Sequence, residues 1–91
     1  MKAEEIVLVI QESLSEVKGF PVSIKSENQN LVEEFELESI QIIDLLYEIE
    51  QKTGVQIEIH ELLMSLSSHS NRRFNSIKIA DLIRFIQGYD K

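Results

Sequence analysis

Ninety-one residues, 43% of them hydrophobic and 27% charged, suit one domain spanning 1–91 and argue against intrinsic disorder. Sixteen acidic against nine basic side chains leave a net charge of −7, which disfavours binding to nucleic acid or to anionic membrane surfaces. There are no cysteines, so a disulfide framework and a thiolate metal site are both excluded.

The first apolar run is short and broken by Gln11 and Glu12, so neither a signal peptide nor a membrane span is expected, and a cytoplasmic location is the default. From Ala3 to Lys18 the residues Ala3, Ile6, Val7, Ile10, Leu14 and Val17 recur at helical spacing. Glu4 and Glu5 open this helix and Lys18 closes it, the favourable order for the macrodipole, and Gly19 stops it. A long connection follows, from Gly19 to Glu38. Its apolar residues Phe20, Val22, Ile24, Leu31, Phe35 and Leu37 are expected to pack inward, with a short helical turn near Leu31.

The second helix is expected from Ser39 to about Lys52, ended by Thr53-Gly54. Ile42, Leu45, Leu46 and Ile49 share one side of it, and Gln41, Asp44, Glu48 and Gln51 share the other. Ser39 stands where this pattern begins, the position of an N-cap residue, so a bond to the helix backbone is one role for its hydroxyl. A phosphate attached there would instead meet unpaired N–H groups and the positive end of the helix dipole. Glu38, Asp44 and Glu48 put acid along the helix, either as a solvated face or as a surface for a basic partner. Ile40, Ile43 and Tyr47 widen the apolar arc past the core side; core packing is the simpler role for Ile43, a groove for an apolar ligand the other.

Val55-Gln56-Ile57-Glu58-Ile59 alternates like a strand, but a lone strand without a partner is a poor structure. It reads as an extended connector whose Val55, Ile57 and Ile59 plug the core, leading into a short helix from Glu61 to Leu66. A polar loop through Ser67–Arg73 precedes the last helix, expected from Asn75 or Ser76 to about Gln87 and closed by Gly88. Ile79, Leu82, Ile83 and Ile86 form its apolar stripe, with Phe85 beside it. These elements make an all-α fold, a small four-helix bundle with a long first loop and a short third helix.

Three blocks carry a resemblance: Glu34-Phe35-Glu36-Leu37-Glu38-Ser39-Ile40, Gly54-Val55-Gln56-Ile57, and Ala80-Asp81-Leu82-Ile83-Arg84-Phe85-Ile86. Their order and spacing resemble the acyl and peptidyl carrier proteins. That family's pattern is Asp-Leu-Gly-Leu-Asp-Ser-Leu, then Gly-hydrophobic-x-hydrophobic, then Gly-Asp-hydrophobic-hydrophobic-x-aromatic-Ile. Here Glu36 replaces the usual glycine, Glu38 the aspartate and Ile40 the leucine, while Glu58 stands where proline is common and Lys78 where threonine or serine is. The resemblance implies that Ser39 carries 4′-phosphopantetheine, taken from coenzyme A by a phosphopantetheinyl transferase with magnesium. It implies a monomeric, non-enzymatic carrier that presents a thioester-bound acyl or aminoacyl group to loading and condensing enzymes with basic surfaces. Glu38, Ile40, Asp44, Tyr47 and Glu48 are then the candidate partner-binding residues, and Ile43 and Leu46 the candidate acyl groove. An unmodified, carrier-like protein-interaction adaptor is the alternative.

Other chemistries find little support. His60 and His69 lack cysteine or clustered carboxylates, so no metal site is expected. His69 among serines lacks the glycine-framed turn of a nucleophile, and Arg72 and Arg73 read as solvated loop residues.

Overall fold

A computed structural model of the chain describes residues 2–67 and 77–89. Asn75, Ser76, His69, Arg72 and Arg73, to which the sequence drew attention, lie outside the described residues. The described residues form four helices, α1 (Ala3–Lys18), α2 (Ser39–Thr53), α3 (Ile59–Ser67) and α4 (Ile79–Tyr89), and no strand. The expected small helical bundle is what the chain forms, with α1 packed against α2 and α4.

The apolar stripes meet in one core. Ile6, Ile10 and Leu14 of α1 are fully buried, and so are Ile42, Leu45 and Ile49 of α2 and Leu82 and Ile86 of α4. Complete burial of a side chain of this size stabilises the fold by about 1.5–3 kcal/mol, so these rows dominate the energetics. Two glycines end helices where the spacing placed them. Gly19 (φ 80°) and Gly54 (φ 76°) adopt the left-handed conformation that a Cβ disfavours, and their N–H groups donate to Ser15 and Glu50 carbonyls at 2.9 and 2.8 Å.

The long first connection is ordered by side chains of α1 and by the start of α4. Ile24 and Val22 donate their N–H groups to Gln11 Oε1 at 2.9 Å and Ser15 Oγ at 3.0 Å, which lays the segment along α1. Asn30 Oδ1 accepts from Val32 and Glu33 N–H, setting up the short turn around Leu31. The Glu27 and Gln29 carbonyls then accept from the N–H groups of Ala80 and Ile79, and Ile77 accepts from Leu31. The backbone of the connection therefore satisfies the first donors of α4.

That contact explains where α4 begins. The last helix was expected from Asn75 or Ser76, but residues 77–78 are extended and pair with the connection through an Asn30–Lys78 bridge. Asp81, nearly fully buried, accepts from Lys78 N–H at 2.8 Å and from the Arg84 guanidinium at 2.6 Å. At the other end α4 runs through Gly88 to Tyr89, so Gly88 does not close it. The expected apolar stripe is in place: Ile79, Leu82, Ile83 and Ile86 are all buried. Two residues expected on the inner side are not. Ala3 is exposed at the tip of α1, and Phe20 is exposed with the Lys18 ammonium 5.9 Å above its ring.

A cross-helix ion pair fastens α1 to α2. Lys52 Nζ lies 3.0 Å from Glu16 and 3.4 Å from Glu48. Hydrogen bonding with Glu48, then with Lys52, holds Glu16 below its usual carboxylate value. Burial alone would lower Lys52, but its bonds to Glu16 and Glu48 prevail and raise it. A depressed carboxylate contributes stability above its unfolded value and loses it as pH falls through the folded value; a raised lysine contributes below its unfolded value and loses it on the alkaline side. The denaturant midpoint difference between wild type and Lys52→Met should therefore be full between the ordinary values of 4.5 and 10.5. It should shrink on either side, and a difference independent of pH would refute the linkage.

Candidate functional site

Glu34–Glu38 leads directly into α2, and its backbone is strained. Glu36 has φ 52°, left-handed without being glycine, and it occupies the slot where the carrier pattern has glycine. Its carbonyl accepts from Lys18 Nζ at 3.4 Å, and Leu37 beside it is buried, so neighbouring contacts hold the conformation. Glu36→Gly should therefore raise stability by about 0.5–1 kcal/mol, the relief of Cβ strain less the entropy of a freer unfolded chain. A lower urea midpoint for this variant would contradict the strain argument.

Ser39 is not the N-cap. Glu38 takes that position with extended backbone (φ −83°, ψ 166°), and Ser39 is the first residue of α2. The cap bond comes from Gln41, whose Oε1 accepts from Glu38 N–H at 2.9 Å. Ser39 itself is exposed, and its hydroxyl takes no part in that cap. The helical ladder starts with Ile42 N–H donating to the Glu38 carbonyl at 3.1 Å, so the N–H groups of Ser39 and Ile40 precede it. Two amide donors and the helix dipole thus surround a free hydroxyl at a solvent-facing corner. A phosphodiester on that oxygen fits: it sits at the positive end of the α2 dipole, buries no charge and displaces no protein bond.

Along the same helix an apolar flank is exposed. Ile40 is 64% exposed, Ile43 53% and Tyr47 59%. Core packing, the simpler expectation for Ile43, is therefore overturned; the core side of α2 is filled by Ile42, Leu45, Leu46 and Ile49. Ile43 instead lines an open groove of about 230 Å³ with Leu46, Tyr47 and Glu50 of α2 and residues 56–59. The alternating segment makes its other wall: Ile57 turns into the core, Gln56 and Glu58 stay exposed, and Ile59 opens α3 two residues earlier than expected. The strand-like alternation does not produce a strand here; the connector expected from the lack of a partner strand is what forms, and it also serves as a groove wall.

The acidic side chains divide. Asp44 is exposed, whereas Glu48 is half-buried and engaged by Lys52, so the two are not equivalent carboxylates. Glu38 is exposed at the cap beside Ser39. Asp44, Tyr47 and Glu48 line a second, shallow depression with Glu16 and Val17 of α1. His60 is exposed, and among the described residues no three His, Asp or Glu side chains converge to hold a metal ion.

The model of the phosphopantetheine attachment site family matches residues 9–71, well over half of the chain. The chain belongs to that family. Domains of this family are carriers with a covalently attached 4′-phosphopantetheine, and the helical bundle is of the kind they share. The matched span begins within α1, contains α2 and α3, and ends before α4. No curated protein and no solved structure matches the chain significantly. Among the described residues of this carrier domain no helix is long and apolar enough to cross a membrane.

Proposed function

We propose that Ser39 is the attachment site, and that the carrier shuttles a thioester-bound acyl or aminoacyl group between enzymes of a biosynthetic pathway. The observation that carries this reading is the free, solvent-facing hydroxyl on the first residue of α2, inside the span matched by the family. When bound, the group supplies a terminal thiol on a flexible arm. The chain's own part is to present Ser39 Oγ to a transferase that holds coenzyme A and magnesium. The oxygen forms a bond to the phosphorus bearing the pantetheine and gives up its proton, while the pyrophosphate bond breaks and adenosine 3′,5′-bisphosphate leaves. The Ser39 and Ile40 N–H groups, which precede the helical ladder, would be the donors available to the new phosphodiester. No general base or oxyanion hole is required of the carrier, since the bond-making groups belong to its partners, and we assign it no enzymatic activity of its own.

Partners are recognised along the exposed side of α2. Ile40 offers apolar contact next to Ser39 and Tyr47 a second apolar contact about two turns further along α2, and Glu38, Asp44 and Glu48 offer acid to basic partner surfaces. Asp44 is the sharper test of this face, because reversing Glu48 would also break its bond to Lys52. Asp44→Lys should slow transferase loading several-fold at low salt, and the gap should narrow near physiological ionic strength as charges beyond about 8–10 Å are screened. Equal loading rates at low salt would assign Asp44 to a merely solvated face. Intact mass after incubation with coenzyme A, magnesium and a broad-specificity transferase tests the attachment itself; an unchanged mass would favour an unmodified adaptor.

A further inference from the structure

The groove beside α2 combines an apolar floor with uncompensated negative charge. Ile43, Leu46, Ile57 and Ile59 supply the floor, and Glu50 and Glu58 line it from opposite walls. Among the described residues no basic side chain pairs with either carboxylate; Lys52, two residues from Glu50, is committed to Glu16 and Glu48. A plain alkyl chain entering this groove would gain from the floor but would strip water from two carboxylates that receive nothing in return. An acyl group that also bears an ammonium gains from both, because carboxylates at the edge of apolar surface act on a cation through a lower effective dielectric than water. The groove is also at the right place on the helix. Ser39, Ile43, Leu46 and Glu50 succeed one another along one flank of α2, and Ser39 to Glu50 spans about 16 Å of helical rise. A group on an arm that folds back from Ser39 passes Ile43 first and reaches the glutamates last.

We propose that the cargo of this carrier is an aminoacyl group with an aliphatic side chain, seated with the side chain on the Ile43–Ile57 floor and the ammonium toward Glu50 and Glu58. This rests on Ser39 as the attachment site. The test uses two coenzyme A thioesters of one carbon skeleton, leucyl and 4-methylpentanoyl, transferred onto the carrier by a permissive transferase. Intact mass reports loading, and the thioester hydrolysis rate is compared with that of the same thioester on free pantetheine, which cancels the intrinsic effect of the ammonium. The expected result is that the carrier protects the leucyl group about two- to fivefold more than its des-amino counterpart, the factor that a partly exposed ion pair provides. Glu50→Gln with Glu58→Gln should remove the leucyl group's advantage, lowering its protection while that of the des-amino group rises as the desolvation cost of the carboxylates falls. Added salt should likewise reduce the leucyl advantage on the wild-type carrier, a measurement that does not depend on the variant folding. Equal protection of the two groups, or leucyl protection indifferent to salt, would overturn the cargo assignment alone. Failure of both thioesters to load would overturn the attachment reading and the cargo assignment with it.

Discussion

Ser39→Ala is expected to abolish phosphopantetheine addition completely while moving the melting temperature by no more than about 4 °C, the range of a surface substitution in a domain of this size. The two halves of this expectation have separate origins. Loss of modification follows from chemistry, since alanine has no oxygen to form the phosphodiester. Retention of stability follows from the cap: Glu38 is the N-cap residue and Gln41 Oε1 makes the bond to its N–H, so the Ser39 hydroxyl contributes nothing to either. Had Ser39 been the N-cap, the same change would cost about 0.5–2 kcal/mol and loss of modification would be confounded with local fraying. Intact mass and a thermal melt on the same sample therefore answer separate questions. A residual addition on the variant, at Ser13 or elsewhere, would remove Ser39 from its role. Ser13 is a poor rival, because its hydroxyl is wholly buried in α1.

How much of this was legible in the sequence depends on whether the deciding interaction is local. The spans of α1 and α2, their glycine stops and their buried rows follow from periodicity and from residues within one turn, and the structure has them in the expected places. The start of α4 does not, because its first donors are satisfied by the Glu27 and Gln29 carbonyls, some fifty residues away in the chain. No local pattern announces such a cap. The capping role of Ser39 failed for a smaller reason: Glu38 and Ser39 both suit a helix start, and Gln41 decides between them by reaching back. Core packing does not hold for Ile43, because amphipathic spacing marks which residues are apolar, not how wide a stripe the neighbouring elements cover. The connector at 55–58 stands off from α2 enough to leave Ile43 in a groove instead of beneath it. Glu36 was visible as a departure from the family's glycine, but its left-handed φ and the Lys18 contact belong to the folded chain.

Leu45 and Ile43, two residues apart on α2, should differ sharply in what they contribute to stability. Leu45 is fully enclosed by the core, so Leu45→Ala removes buried methyl groups and leaves a cavity, costing about 2–5 kcal/mol. In a domain whose whole stability is of the order of 5–15 kcal/mol, that lowers the melting temperature by roughly 10 °C or more. Ile43 is 53% exposed in the groove, so Ile43→Ala forfeits only part of one side chain's contacts, about 1 kcal/mol or less. Its effect should appear instead after loading. With the floor of the groove shortened, an acyl or aminoacyl group has less apolar surface to lie on and water reaches its thioester more often. Ile43→Ala should therefore load as readily as wild type yet hydrolyse its thioester faster, while its unmodified form melts no more than about 4–8 °C lower. A large drop in melting temperature with an unaltered thioester lifetime would return Ile43 to the core and move the sheltering surface elsewhere.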